Sequence, residues 1–301
     1  MYRAHFGLKE KPFSLIPDPD FLYLSPEHRA GLAMLEYGLL EQHGITVITG
    51  DVGAGKTTLI RHMLRTIDYN QLTVGYITNT HHGFGDLMQW VASAFEIPHA
   101  GKDRVTLYRE LQDFFIREYA QGRRVVLVVD EAQNLSADNL EELRLFSNIN
   151  ADKDQLIQII LVGQPELFDI LRRPELTQIA QRVSSEYHIK PLDSNETVQY
   201  VRHRVMVAGG SRFIFDIFAV LAIYYFSGGV PRLINTLCDY ALVHAYAKGK
   251  EVVDVETAME VIAGKRIGAV YRTTTTNPDR ENARQTVKQL TGVDLADVIE
   301  A

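Results

Sequence analysis

The segment from residue 50 to residue 58 has the composition of a loop that binds phosphate groups. It contains three glycines followed by a lysine and two threonines, in the order Gly50, Asp51, Val52, Gly53, Ala54, Gly55, Lys56, Thr57 and Thr58. The glycines let backbone N–H groups turn toward phosphate oxygens. In the Walker A pattern that this segment matches, the lysine reaches the β- and γ-phosphates and the threonine after it holds Mg²⁺. The segment predicts a nucleoside triphosphate site with ATP and Mg²⁺ as cofactors, Lys56 as a catalytic residue and Thr57 as a metal ligand.

The flanking sequence favours this interpretation over an ordinary glycine-rich turn. The apolar run Ile45–Thr49 before the loop is typical of a buried strand, and Lys56–Ile67 after it has the spacing of an amphipathic helix. The N-terminus of a helix adds a favourable field for the negative charge of a phosphate. Strand, loop and helix therefore follow one another in the order that phosphate binding requires.

Two adjacent carboxylates follow the most apolar predicted strand, Arg124–Val129. At such a strand end, Asp130 could hold Mg²⁺ through water, and Glu131 could polarise the attacking water. A solvated acidic turn is the weaker alternative. The adjacent glutamate favours hydrolysis over a nucleotide switch with negligible turnover, and it separates this pattern from GTPase-like layouts.

Two further polar residues are predicted to sense the nucleotide. Gln164 closes the next predicted strand, where its side chain would lie beside the γ-phosphate in a sensor 1 role, although an ordinary turn residue remains an alternative. Arg232 begins a helix of the C-terminal helical part. From there it could reach the nucleotide and couple its state to the position of a lid.

Arg182 ends a predicted helix just before the last strand, which suggests a different role. In a ring or filament its guanidinium could project into a neighbour's site as an arginine finger. Solvation at the surface is the alternative, and Arg172 or Arg173 could take its place.

Strands alternate with helices up to about residue 191, which predicts an α/β fold with a parallel sheet and right-handed crossovers. After it the pattern is purely helical. We expect an N-terminal strap at 1–25, an α/β core at 26–191, a helical lid at 192–267, and a linker and tail at 268–301. Prolines predict an extended strap. The tail after Pro278 is expected to be dispensable for hydrolysis and to pack on the protein's own core, with packing on another chain as the weaker alternative.

Charge and composition bound the partners and the compartment. The formal net charge of -7 and the pI near 5.8 disfavour nucleic-acid binding without excluding a local basic patch. The single cysteine, Cys238, is expected to be a buried hydrophobe in a reducing compartment. The N-terminus lacks the apolar core of a signal peptide, and the most apolar run, Phe213–Phe226, is too short to span a membrane. We expect a cytoplasmic protein without an integral membrane segment, with a peripheral position at the inner membrane left open.

Three minor features receive structural interpretations. The pair His81 and His82 is a weak metal candidate, because no carboxylate or cysteine accompanies it at ligand spacing. The basic cluster Arg202-His203-Arg204 is expected to face solvent on a helix, and Trp90 is expected in the core.

The sequence resembles the AAA+ ATPases and, within them, the general secretion pathway A-type ATPases, the MSHA-pilus biogenesis ATPase and the ATPases of exosortase-linked polysaccharide loci. The matching strings lie in the strap, around the proposed site and in the helical part: Phe6-Gly7-Leu8, Lys11-Pro12-Phe13, Asp18 to Leu24, Gly50 to Thr58, Asp130 to Leu135, Leu143 to Asn148, Leu161 to Leu167 and Gly228 to Asn235. The resemblance implies Walker A at Lys56 and Thr57, Walker B at Asp130 and Glu131, sensor 1 near Gln164 and sensor 2 at Arg232.

The resemblance also implies a function. It favours a homo-oligomeric ATPase that assembles or remodels a cell-envelope apparatus, with an envelope assembly protein as partner. The alternative is a DNA-associated AAA+ regulator of the transposition-targeting or helicase-loading kind, which shares the same core. Secretion-pathway members continue into a transmembrane helix and a peptidoglycan-binding domain that this sequence does not show, so the shorter pilus or polysaccharide-locus type is expected to fit better.

Overall fold

The computed structural model describes residues 1–78, 86–151, 154–265 and 277–298. The chain forms two compact units. The first unit comprises residues 1–25, 51–58 and 190–301, and the second comprises residues 26–50 and 59–189. His81 and His82 lie outside the described residues, as does most of the predicted linker.

The second unit contains a five-stranded parallel sheet. Its strands are β1 (Ile45–Gly50), β2 (Leu72–Ile77), β3 (Arg124–Val129), β6 (Ile157–Gly163) and β7 (Val183–Ile189), and they lie side by side in the order β2-β3-β6-β1-β7. Two short antiparallel strands, β4 (Asn150–Ala151) and β5 (Asp154–Gln155), precede β6 and are too short to give a sequence signal. The predicted parallel α/β fold is confirmed.

The inner strands of the sheet are rich in apolar, β-branched side chains, which suit a strand that is covered on both faces. Every residue of β1 and β6 is buried, whereas the edge strands β2 and β7 contain both buried residues and partly or fully exposed ones. The helix before β1 and the helices that connect the strands supply the covering layers: α2 (Pro26–Leu40), α3 (Lys56–Thr66), α4 (Leu87–Ala94), α5 (Arg104–Ala120), α6 (Ala137–Phe146), α7 (Glu166–Leu171) and α8 (Thr177–Ala180). Asp86, Asp103 and Ser136 cap α4, α5 and α6 by accepting hydrogen bonds from backbone N–H groups.

The first unit is built around the C-terminal helices. They are α9 (Ser194–Val207), α10 (Ile217–Ser227), α11 (Pro231–Ala247), α12 (Val255–Gly264) and α13 (Pro278–Thr291). Cys238 is buried among them, in agreement with the sequence interpretation. None of the helices in the described ranges is long and apolar enough to cross a membrane.

The N-terminal strap packs on these helices. Its aromatic residues Tyr2, Phe6, Phe13 and Phe21 belong to the core of the first unit. The strap is not wholly extended, because Tyr2–His5 forms one turn of α-helix, α1, and Pro19–Phe21 forms a 3₁₀ turn. A proline at the first position of a turn is compatible with helix, which explains the second difference.

The predicted burial of two residues, Arg204 and Trp90, is wrong. Arg204 does not face solvent: it is buried, donates through Nε to the Pro12 carbonyl and through Nη1 to the Tyr200 hydroxyl, and lies over the Phe21 ring. Its guanidinium finds acceptors in the strap and on α9, which makes its burial tolerable. Trp90 is 44% exposed on α4 and is not a core residue.

The tail docks on the helical unit. Val287 of α13 and Leu295 of the following 3₁₀ turn are fully buried in the core of the first unit, whereas Leu290 is 67% exposed. Asp279 accepts hydrogen bonds from the backbone N–H and the hydroxyl of Ser194, at the start of α9. Packing on the protein's own core, as the sequence suggested, is therefore seen for the described part of the tail.

Candidate active site

The phosphate loop links the end of β1 to the start of α3. Gly53 and Gly55 have positive φ angles of 84° and 97°, which favour glycine. The carbonyl oxygen of Asp51 accepts hydrogen bonds from the Ala54 backbone N–H and from the Lys56 ammonium, both at 3.0 Å. These contacts close the loop on itself, and Lys56 is buried within it.

The start of α11 lies directly against this loop. The backbone N–H of Arg232 donates to the Gly53 carbonyl at 3.2 Å, and a Cβ atom at position 53 would lie 2.4 Å from the Arg232 Cβ. Gly229, with a φ of 78°, accepts a hydrogen bond from the Leu192 backbone N–H, and a side chain there would meet the Leu192 carbonyl at 1.8 Å. Two glycines thus permit the close approach that sets Arg232 beside the loop, while its side chain is exposed.

Asp130 follows β3 and is held at both carboxylate oxygens. Its Oδ1 accepts from the Glu131 backbone N–H at 2.9 Å, and its Oδ2 accepts from the Tyr76 hydroxyl at 3.0 Å. Tyr76 pairs in register with Val128, two residues before Asp130, so both side chains lie on the same face of the sheet. Burial, followed by the charge of Asp130 and the hydrogen bond to it, raises the pKa of Tyr76 well above its usual range. The phenol therefore remains a donor.

Glu131 adopts a left-handed backbone conformation, with φ 55° and ψ 38°. Its Oε2 accepts hydrogen bonds from the side-chain amides of Gln133 at 2.7 Å and of Gln164 at 3.3 Å. The structure thus brings Glu131 and Gln164 together at the neighbouring ends of β3 and β6. The sequence analysis assigned no role in the site to Gln133 or Tyr76. The only available signal for Tyr76 was the alternation of side chains along a strand.

The residues predicted to hold the metal suit Mg²⁺ better than a metal that needs several protein ligands. Asp130 and the Thr57 hydroxyl are hard oxygen donors, and Mg²⁺ is usually bound by one or two such groups together with phosphates and water. Among the described residues, no group of three or more histidine, cysteine, aspartate or glutamate side chains could hold a metal ion. A site that relies on phosphate oxygens for its remaining ligands fits these observations.

Arg182 is not brought to the carboxylates. It immediately precedes β7, and β7 runs parallel to β1, so Arg182 lies at the amino end of the sheet. Seven residues of strand separate the two ends by about 20 Å. Its Nη1 donates to the Ser147 carbonyl at 3.5 Å, while Arg172 and Arg173 are exposed at the end of α7.

A parallel sheet whose strand β1 leads into a Walker A loop, and whose strand β3 ends at an Asp-Glu pair, is the fold of the P-loop nucleoside triphosphatases. The family described as AAA domain matches residues 39–171. The predicted resemblance to the AAA+ ATPases is confirmed over this region.

A more specific relative supports the resemblance to the secretion-pathway type. General secretion pathway protein A of Aeromonas hydrophila is 40% identical over 270 residues, which cover 88% of this chain and 49% of that protein. The chain thus spans about half the length of this relative. The predicted resemblance to the general secretion pathway A type is confirmed.

Solved structures show the same fold at low identity. The Aeropyrum pernix ORC2 protein superimposes with a TM-score of 0.64 at 16% identity, covering 85% of this chain and 72% of that chain. Domain III of the Thermotoga maritima replication initiation protein DnaA gives a TM-score of 0.56 at 20% identity, covering 83% of this chain and 97% of that chain. At these identities the similarity concerns the fold alone.

Proposed function

We propose that this protein hydrolyses ATP in a Mg²⁺-dependent reaction. The observation that carries the proposal is the arrangement at the carboxyl end of the sheet, where the Glu131 carboxylate is held between Gln133 and Gln164 and directly follows the doubly hydrogen-bonded Asp130. Because β1 is parallel to β6 and β6 to β3, the strand that leads into the phosphate loop ends at the same edge.

Each residue has a role that follows from its chemistry. Lys56 and the backbone N–H groups of the loop neutralise and orient the phosphates. Asp130 and Thr57 would hold Mg²⁺, which would shield the phosphate charge. Glu131 accepts a proton from the attacking water, and Gln164 orients this water from the end of β6. The side chain of Arg232 responds to the nucleotide from the start of α11.

We further propose that the ATPase acts as a homo-oligomer and drives the assembly or remodelling of a cell-envelope apparatus. The support is the identity to a protein named for the general secretion pathway. An Arg182 that lies at the far end of the sheet suits a role in a neighbour's site better than one in its own. The net charge of -7 does not favour sequence-independent binding to duplex DNA. We place the protein in the cytoplasm, where ATP is available, near the inner face of the membrane that carries such machinery.

The test compares three variants for ATP affinity and turnover. Lys56→Ala should abolish ATP binding, because it removes the cation that faces the phosphates. Glu131→Gln should keep binding and slow hydrolysis by about 10²-fold or more, because only the water-polarising carboxylate is lost. Glu175→Gln, an exposed glutamate in the turn before α8, should behave as wild type.

The outcomes separate the parts of the proposal. Turnover of Glu131→Gln within a few-fold of wild type would mean that another residue is the base. Binding of the ATP-loaded Glu131→Gln protein to purified envelope assembly proteins would support the proposed partner. ATP-dependent retardation of duplex DNA without such binding would favour the DNA-associated alternative.

A further inference from the structure

The side-chain amide of Gln133 joins the proposed base to the end of the neighbouring strand. We propose that Gln133 is a positioning residue for hydrolysis, which fixes the carboxylate of Glu131 relative to Gln164. The inference rests on the proposed function, because it assigns a role toward the base named there.

Both ends of the amide are used. The Nε2 atom of Gln133 donates to Glu131 Oε2 at 2.7 Å, and its Oε1 accepts from the backbone N–H of Gln164 at 3.0 Å. The last residue of β6 must be small for this contact, since a Cβ atom at Gly163 would lie 3.0 Å from the same Oε1. The amide therefore spans the gap between the ends of β3 and β6.

Only a carboxamide of this length satisfies both partners. Glutamate at position 133 would present acceptors to the Glu131 carboxylate and repel it, whereas methionine would fill similar space with neither a strong donor nor a strong acceptor. Glu131 needs such support, because its left-handed backbone is uncommon for a residue with a side chain. The 3₁₀ turn Ala132–Asn134, which follows Glu131, places the Gln133 side chain where it reaches both Glu131 and the end of β6.

The arrangement has a consequence for the reaction. Gln164 contacts Glu131 through its side chain and Gln133 through its backbone N–H. The amides of Gln133 and Gln164 both donate to the same oxygen of Glu131. A shift of the end of β6 therefore displaces both of these donors. Gln133 thereby transmits the position of the proposed sensor to the base. It acts through Glu131 and is not itself a catalytic residue.

The first test is a kinetic comparison. Gln133→Ala and Gln133→Met should each lower kcat by about 10- to 100-fold, the range expected for the loss of a hydrogen bond to a charged group, and should leave KM and the affinity for ATP unchanged. In the Glu131→Gln background, Gln133→Ala should change the residual rate by less than about twofold, because the group that it positions is already lost. Gln181→Ala, at an exposed glutamine after α8, is the matched control and should retain full activity.

A second measurement does not depend on activity. Hydrogen exchange of the Gln164 backbone amide should accelerate in nucleotide-free Gln133→Ala, because its acceptor is removed, while the exchange of amides within β6 stays unchanged. Gln133→Met keeps the volume and provides the same test if the alanine variant is unstable. Full activity of a folded Gln133 variant, or an equal loss in the wild-type and Glu131→Gln backgrounds, would overturn the inference. A Glu131→Gln protein that still turns over would overturn the assignment of the base itself.

Discussion

Arg232 touches the phosphate loop through its main chain: its backbone N–H donates to the carbonyl oxygen of Gly53 at 3.2 Å. The sequence interpretation gave Arg232 a role through its guanidinium alone. The observed contact ties the first turn of α11 to the loop itself. A displacement of α11 therefore changes the position of the loop backbone through this hydrogen bond. This coupling does not depend on the contacts of the Arg232 guanidinium.

Gly53→Ala should disrupt this contact. The new Cβ would lie 2.4 Å from the Arg232 Cβ, and position 53 has a left-handed φ of 84°. We expect a loss of ATP affinity by more than about tenfold, because the loop and the start of α11 must separate. The measurement is nucleotide titration together with thermal unfolding.

Gly122→Ala is the matched control for backbone strain. Gly122 has a φ of 76° but no atom within 4 Å of an added Cβ. It should lose only about 1–2 kcal/mol of unfolding free energy and keep its affinity for ATP. Equal affinities of the two variants would show that the contact with Arg232 does not matter for binding.

Tyr76→Phe should weaken the response to Mg²⁺. It removes the hydroxyl that donates to Asp130 Oδ2 and leaves the ring in place. Because such supporting hydrogen bonds orient metal-binding carboxylates, the Mg²⁺ concentration for half-maximal hydrolysis should rise by about tenfold. ATP binding without Mg²⁺ should not change. Tyr187→Phe, which removes a similar hydrogen bond to Glu27 in the same unit, should leave the Mg²⁺ dependence as it is.

Local patterns account for much of what the sequence predicted. The run Arg124–Val129 is a strand with the predicted bounds, and helix α11 begins at Pro231, so that Arg232 lies in its first turn as expected. A continuous apolar run and a proline at the first helical position are signals carried by the residues themselves. Such signals also located the ends of β3 and β6, where Glu131 and Gln164 meet.

The residues that were missed depend on contacts far apart in sequence. Tyr76 contacts Asp130 only because β2 pairs with β3 in one particular register. Arg204 is buried because the strap, almost two hundred residues earlier, supplies the Pro12 carbonyl and the Phe21 ring. Neither register nor strap docking can be read from a helical or strand period. For the same reason, the sequence analysis predicts that the cluster Arg202-His203-Arg204 faces solvent, whereas Arg204 is buried.

The docked tail should contribute to stability. Leu295→Ala should lower the unfolding free energy by about 2–5 kcal/mol, because Leu295 is fully buried in the core of the first unit. Leu290→Ala is the control on the same segment. It should change the free energy by less than about 0.5 kcal/mol, since Leu290 is exposed. Chemical denaturation measures both. Equal effects would mean that the tail is not docked in solution.

Asp254 should make stability depend on pH in the acid range. Burial raises its pKa, but hydrogen bonds from Lys250 and Thr257 outweigh burial and lower the pKa from 3.8 to about 2. Because the pKa is lower in the folded state, ionised Asp254 stabilises the fold. Its contribution to the free energy of unfolding is complete above the unfolded pKa of 3.8 and is lost as the pH falls toward 2.

Asp254→Asn keeps a side chain that can cap α12 but cannot titrate. The difference in unfolding free energy between wild type and this variant should be largest near neutral pH and should shrink as the pH falls below about 4. Denaturation curves at several pH values provide the measurement. A difference that does not vary with pH would show that the Lys250 contact has no electrostatic effect on stability.

Arg182→Ala should impair hydrolysis without impairing ATP binding, if its guanidinium completes a neighbour's site. An arginine finger supplied by a neighbour can be worth about 10³-fold or more in rate. The total rate of hydrolysis by the wild type should then rise more than linearly with protein concentration, whereas a site complete in one subunit gives a constant activity per subunit.

Mixing two inactive proteins gives the sharper measurement. Lys56→Ala lacks the lysine of the phosphate loop, and Arg182→Ala lacks the finger, but some interfaces in the mixture pair an intact loop with an intact arginine. Partial recovery of activity is therefore expected on mixing and not in either protein alone. If Arg182→Ala is fully active by itself, the finger role passes to Arg172 or Arg173, which the same mixing experiment can test. The proposed self-association fails if activity per subunit is also independent of concentration.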